Sequence, residues 1–184
     1  KGAFREAPPD RLLAHALEGL RERSGCSAER IDDVIVGAVT QAGEQGANIG
    51  RLAVLLAGFP AEVPAVSLNR MCGSSQQAVH FAAQGVAAGD VHYAIGGGVE
   101  SMTRVPMFSD IGGGFEKLNP DLRERYELIH QGESAERIAQ RWEITREDVD
   151  RFSAESHRRA SAAAKQNLNA ELLPTPGLDA DGNE

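Results

Sequence analysis

Ala65-Val66-Ser67-Leu68-Asn69-Arg70-Met71-Cys72-Gly73-Ser74-Ser75-Gln76-Gln77-Ala78-Val79 reads as a strand, a sharp turn and a helix, with a cysteine at the corner. Pro64 precedes a short apolar-leaning run, Ala65 to Leu68, that includes β-branched Val66. From Ser75 onward the apolar residues fall at Ala78, Val79, Ala82, Ala83, Val86 and Ala87, the three-and-four spacing of a helix. Gly89-Asp90 then ends it. Cys72 therefore belongs at or just before a helix N-terminus, where backbone N–H groups have no partner within the helix.

That position has chemical consequences. The N–H groups and the positive end of the helix dipole favour a thiolate over a thiol. The same groups can stabilise an oxyanion forming on a carbonyl that the sulfur attacks. Gly73, Ser74 and Ser75 are small and leave room for a bulky electrophile. A buried structural cysteine is the common alternative, and position alone leaves both readings open.

Working outward, the flanking segments repeat the strand–helix alternation. Asp10 reads as an N-cap for a helix from about Arg11 to Arg23, with Leu12, Leu13, Ala16, Leu17 and Leu20 on its apolar face. Val34-Ile35-Val36-Gly37-Ala38-Val39 is a continuous apolar run, as expected of a parallel strand covered on both faces. The glycine-bearing loop Gly43 to Gly46 lacks the lysine and spacing of a phosphate-binding loop. A second helix is expected from about Asn48 to Ala57, and a further buried strand over Tyr93-Ala94-Ile95-Gly96-Gly97-Gly98. Those glycines lack dinucleotide-binding spacing and instead suit a close approach of backbone to a neighbouring segment or ligand. The alternation predicts an α/β fold with a mainly parallel sheet and flanking helices.

After Met102 the character changes. Residues 104–128 are charged and irregular, too long for an ordinary connector. Ser134 to Trp142 reads as a helix, and Thr145 with Asp148 forms a cap pair for a longer one through about Lys165. Pro174-Thr175-Pro176-Gly177 and Asp179-Ala180-Asp181-Gly182 read as loop.

The 184 residues suffice for one sizeable domain, or one plus a small subdomain. A formal net charge of -8 with no basic cluster argues against nucleic-acid binding. No apolar stretch reaches the length of a membrane span. Two cysteines provide no disulfide framework, Cys26 sits in a turn-like segment with nothing to activate it, and the expected compartment is cytoplasmic.

Asn69-Arg70-Met71-Cys72-Gly73-Ser74-Ser75, followed by Gly96-Gly97-Gly98-Val99-Glu100-Ser101-Met102, resembles the thiolases, coenzyme A-dependent acyltransferases. The resemblance extends from Lys1-Gly2-Ala3-Phe4 to the Glu171-Leu172-Leu173-Pro174 region. It implies that residues 1–103 form part of an N-terminal α/β core bearing the nucleophilic cysteine. Residues 104–184 would then form part of a helical loop domain that covers coenzyme A. It implies further that Cys72 takes an acyl group from a 3-ketoacyl-CoA, releasing acetyl-CoA, and that coenzyme A collects the acyl group. The reverse Claisen condensation uses the same intermediate, and a thiolate suits both directions as nucleophile and leaving group. Coenzyme A and acyl-CoA are then substrates, with no tightly bound cofactor and no metal. A homodimer or homotetramer is the expected assembly.

Among the five histidines, His130 stands out. By resemblance it lies in the loop-domain segment beside the acyl and pantetheine pocket. Gln131 stands where family members often carry methionine, which bears on the shape and polarity of that pocket. Glu100 reads as a carboxylate that orders the Gly96–Met102 bend rather than as a general base. The family's catalytic histidine and second cysteine lie in Gly-His-Pro and Cys-x-Gly motifs, neither of which occurs in this sequence.

The expectation is accordingly a fragment of an enzyme roughly twice as long, lacking the first and last strands of its N-terminal half and the whole C-terminal half. By itself it would be incompetent in Claisen chemistry, although Cys72 could still be acylated. The resemblance also suggests that a missing first strand lies between the strands at Val34 and Ala94. The gap would be roughly 9–10 Å on standard sheet spacing, so either the missing strand is supplied in the whole molecule or the sheet is broken or rearranged. Two other classes are the alternatives: a ketoacyl-synthase-like condensing enzyme, against which Gly97-Gly98-Val99-Glu100-Ser101-Met102 argues, and a non-catalytic module that binds acyl-CoA or a partner.

Overall fold

The computed structural model describes residues 2–178, so the reading of Asp179-Ala180-Asp181-Gly182 as loop lies outside the described residues. Among the described residues, 2–113 together with 173–178 form one compact unit, and 114–172 form a second.

In the first unit the strands are β1 (Asp33–Gly37), β2 (Ala65–Leu68) and β3 (Ala94–Gly98). The helices are α1 (Pro9–Ser24), α2 (Ile49–Leu56) and α3 (Ser74–Ala88). Pro9, rather than a residue after Asp10, opens α1, because proline's missing N–H costs nothing at the first helical position. Asn48 caps α2 by accepting the Arg51 N–H, and Gly89 ends α3 in the left-handed region with φ 80°.

The sheet is parallel, in the order β2-β1-β3. Val36 pairs with Ser67 on one side and Gly97 on the other. The chain leaves β1 through α2 to reach β2, then recrosses β1 through α3 to reach β3. Reversing direction while keeping crossovers of one hand places the two helices on opposite faces, and the packing agrees. Val34 and Val36 join Leu13, Leu17, Ala53 and Val54 of α1 and α2 in one core. Ile35 packs with Ala78 and Ala82 of α3 in the other. With both faces covered, β1 has no reason to alternate in polarity, which explains its unbroken apolar run.

Of the outcomes expected for this sheet, the topology shows the rearranged one, with no open gap. The strands expected to flank a missing one share a ladder from Asp33↔Ala94 to Gly37↔Gly98. β3 itself occupies the place assigned to another strand, so no backbone faces a void between β1 and β3. The physical reason is visible at Gly37 and Gly96. A Cβ on Gly37 would lie 2.4 Å from the backbone of Ser74 and Ser75, and one on Gly96 would lie 2.6 Å from the Val79 Cα. Side chains at these positions would hold α3 off the β1–β3 pair.

In the second unit, the segment read as irregular contains a short helix, α4 (Pro120–Arg125), capped by Asn119. It is followed by α5 (Gln131–Arg141) and α6 (Arg146–Lys165). Thr145 and Asp148 make a reciprocal capping box on α6. None of the three helices has a buried residue, and Phe152 of α6 is 79% exposed. The apolar stripe of α6 is therefore a surface feature of this chain. Ion pairs such as Arg137–Glu127 and Arg159–Glu155 decorate the unit, and their exposure to solvent leaves each worth little to stability.

Candidate active site

All three strands of the first unit run the same way, so Gly37, Leu68 and Gly98 end at a common edge. Open parallel sheets bind ligands outside the carboxyl ends of their strands. The loops after β1, β2 and β3 meet there, and the loop after β2 carries Cys72.

The turn is built from short side-chain hydrogen bonds. The Asn69 Oδ1 accepts the Met71 N–H at 2.8 Å, a local turn that asparagine forms readily. Ser74 Oγ accepts the Arg70 N–H at 2.8 Å and donates to the Met71 carbonyl at 2.5 Å. The Gly73 and Ser74 N–H groups donate to the carbonyls of Arg70 and Met71. Met71 adopts φ 48°, in the left-handed region, where a side chain costs on the order of 1 kcal/mol or more. A non-glycine residue there is sustained only because the surrounding bonds over-determine it. Gly73 is the N-cap of α3, and Cys72 precedes it, exposed to solvent. Cys26 is half-buried against the α1–α2 core.

The neighbouring loops are tied to this turn. Glu100 accepts from the Val39 N–H at 2.7 Å, the Thr40 N–H at 3.2 Å and the Gln45 Nε2 at 3.0 Å. Gln45 is fully buried; its Nε2 also donates to the Thr40 carbonyl, and its Oε1 accepts the Ser101 N–H. Asn69 Nδ2 donates to the Val39 carbonyl at 2.9 Å. Partial burial opposes the charge on Glu100, but the Gln45 amide and the two backbone N–H groups outweigh it and hold the carboxyl below its ordinary range. Glu100 thus orders the bend after β3, in keeping with the structural role expected of it. Gln45 was not legible as its partner, because a lone glutamine between glycines has no distinctive pattern. Asn69 was legible only as part of the motif around the cysteine.

The other two site residues inferred by resemblance, His130 and Gln131, belong to the second unit. His130 is the N-cap residue of α5, and its ring stacks on Phe115 at a centroid separation of 5.0 Å. Its carbonyl accepts from both the N–H and the hydroxyl of Ser134. Gln131 is the first residue of α5, and both side chains are exposed.

The first unit is thus a helix-flanked parallel α/β sheet with Cys72 beside a helix N-terminus, at the carboxyl edge of its strands. The thiolase N-terminal domain matches residues 1–184, and the chain belongs to the thiolase family. It is 42% identical over 185 residues to a 3-ketoacyl-CoA thiolase of Serratia proteamaculans, covering 98% of this chain and 46% of that protein. It is 38% identical over 189 residues to a beta-ketoadipyl-CoA thiolase of Acinetobacter baylyi, covering 94% of this chain and 47% of that protein. The chain spans about half the length of the curated relatives it matches. No helix among the described residues is long and apolar enough to cross a membrane.

Proposed function

We propose that this chain is the nucleophile-bearing part of a thiolase-type acyltransferase, with Cys72 as the residue that becomes acylated. The supporting observation is the exposed Cys72 on a hydrogen-bonded, left-handed turn at the carboxyl edge of the sheet, one residue before the N-cap of α3. In the thiolytic direction the Cys72 thiolate attacks the 3-keto carbon of a 3-ketoacyl-CoA. The C2–C3 bond breaks, the acyl group stays on sulfur as a thioester, and protonation of the departing carbon releases acetyl-CoA. Coenzyme A then takes the acyl group and returns the thiol. The helix N-terminus and the backbone N–H of Cys72 provide the environment for the oxyanion.

His130 and Gln131 are proposed to contact the acyl or pantetheine portion of the substrate. A polar Gln131 at the start of α5 favours a substrate with a polar group near that point. Residues from about 104 onward are proposed to form the part that covers coenzyme A. Acyl-CoA and coenzyme A serve as substrates without a tightly bound cofactor. The assembly is a homodimer or homotetramer, and two thiols outside any disulfide framework fit a cytoplasmic location.

The test is mass spectrometry of the chain after incubation with acetoacetyl-CoA. Acetylation of Cys72 but not Cys26 supports the assignment. Acetylation of neither, in this chain and in a full-length protein containing it, overturns it. An adduct only in the full-length protein assigns the activation of Cys72 to residues outside this chain.

A further inference from the structure

The peptide unit joining Val39 to Thr40 is held from both ends. Its carbonyl accepts from Asn69 Nδ2 at 2.9 Å, and its N–H donates to Glu100 Oε1 at 3.2 Å. The preceding N–H, that of Val39, donates to the second carboxylate oxygen at 2.7 Å. Asn69 is the residue whose Oδ1 holds the Met71 N–H, immediately before Cys72. A continuous path of hydrogen bonds therefore runs from Glu100 through one peptide unit and one asparagine to the turn that carries the thiol.

We propose that Glu100 is a positioning residue for the Cys72 turn, acting through the Val39–Thr40 peptide and Asn69, with Gln45 as the buried junction that keeps the carboxylate aimed. Only its functional consequence rests on Cys72 being the nucleophile; the coupling itself stands on the geometry.

The chemistry of the donors explains why a carboxylate is needed. The Val39 N–H, the Thr40 N–H and the Gln45 amide all donate, and an ionised carboxylate offers acceptors alone. A glutamine at position 100 would present one oxygen and an NH2 group, so at least one donor would face another donor. Gln45 cannot turn its amide over to compensate. Its Oε1 already accepts the Ser101 N–H at 2.7 Å, and its Nε2 already donates to the Thr40 carbonyl at 2.9 Å. Beyond Gly37 and Leu68 the loops have left the β1–β2 ladder, so the side-chain bonds carry much of the register between them. Charge on the acceptor also polarises the Val39–Thr40 peptide, which strengthens its carbonyl as an acceptor for Asn69.

The experiment uses the full chain with Glu100→Gln, Asn69→Asp and the double substitution. Amide hydrogen exchange is followed at Arg70 to Gly73, and iodoacetamide alkylation of Cys72 is timed with Cys26 as internal reference. Glu100→Gln is expected to speed exchange in the turn about tenfold, the scale set by losing one charged hydrogen bond. It is also expected to change the Cys72 alkylation rate at least about threefold, leaving Cys26 unchanged. Asn69→Asp keeps the bond to Met71 but loses the one to Val39, and it is expected to act in the same direction. The double substitution should exceed neither single one, because both cut one path. Turn exchange within about twofold of wild type in Glu100→Gln overturns the proposal. So does a parallel rise in exchange at β1 and α1 with faster alkylation of Cys26, which would mark general loosening. Coupled exchange in a protein whose Cys72 reacts no faster than Cys26 supports the coupling and instead counts against Cys72 as the nucleophile.

Discussion

Gly96 lies directly beneath Val79: a Cβ built on the glycine would stand 2.6 Å from the Val79 Cα and 2.8 Å from its nitrogen. Both are backbone atoms of α3, so neither can swing aside. The helix that begins beside Cys72 is thereby seated on β3 at a distance only glycine permits.

Gly96→Ala is expected to lift α3 and destabilise the chain by about 1–3 kcal/mol, the usual range for overpacking. Gly97→Ala is the matched control, because nothing lies within 4 Å of the Cβ it would add. It should stay within about 0.5 kcal/mol of wild type. Urea denaturation of the two variants checks the contrast.

Cys72 is exposed, whereas Cys26 is half-buried against the core that α1 and α2 share. Near neutral pH, iodoacetamide should label Cys72 well before Cys26, as peptide mass spectrometry would show. Cys72→Ser should change stability by no more than about 0.5 kcal/mol, since the exposed side chain fills no core space. It should also abolish acylation by acetoacetyl-CoA.

The folded-state pKa of Glu100 lies below the ordinary 4.5, so its ionised form stabilises the fold. That contribution is complete above 4.5 and is lost as the pH falls through the lowered folded-state value. Wild type should therefore be more stable than Glu100→Gln at pH 7, with the difference narrowing steadily in acid. Glu44 and Asp32 are shifted in the same direction, Glu44 by Arg104 and Asp32 by the backbone N–H groups of Tyr93 and His92. Both are present in the two proteins and cancel from the difference. Denaturation midpoints measured from pH 7 down to pH 3 would test it, and a constant difference would refute it.

Thr145 and Asp148 satisfy each other's backbone N–H groups at the start of α6. Because α6 buries no residue in this chain, its stability leans on local interactions more than packing does elsewhere. Thr145→Ala should cost about 1 kcal/mol of helix stability. Circular dichroism during thermal melting should show the loss of helical signal beginning earlier than in wild type.

The elements were largely legible because their signals are local. Ala65–Leu68 as a strand, the α3 helix ending at Gly89, and Thr145 as the cap of α6 all follow from periodicity and from end-group chemistry. These depend on residues a few positions apart. The family was legible for a similar reason: the residues around Cys72 and the Gly96–Met102 bend stand in recognisable short motifs.

The direct pairing of β1 with β3 was not legible. That β1 pairs with β3, with nothing between them, depends on how α3 recrosses the sheet and on three-dimensional clearance at Gly37 and Gly96. Likewise, no spacing along the chain foretells that Glu100, Gln45, Val39 and Asn69 converge beside one turn. Sequence by itself determined which segments become strand or helix, where they stop, and that a cysteine occupies the corner between two of them. Tertiary structure alone decided which strands are neighbours and which polar groups find one another, because hydrogen bonding and close packing act on distance in space, which chain separation does not encode.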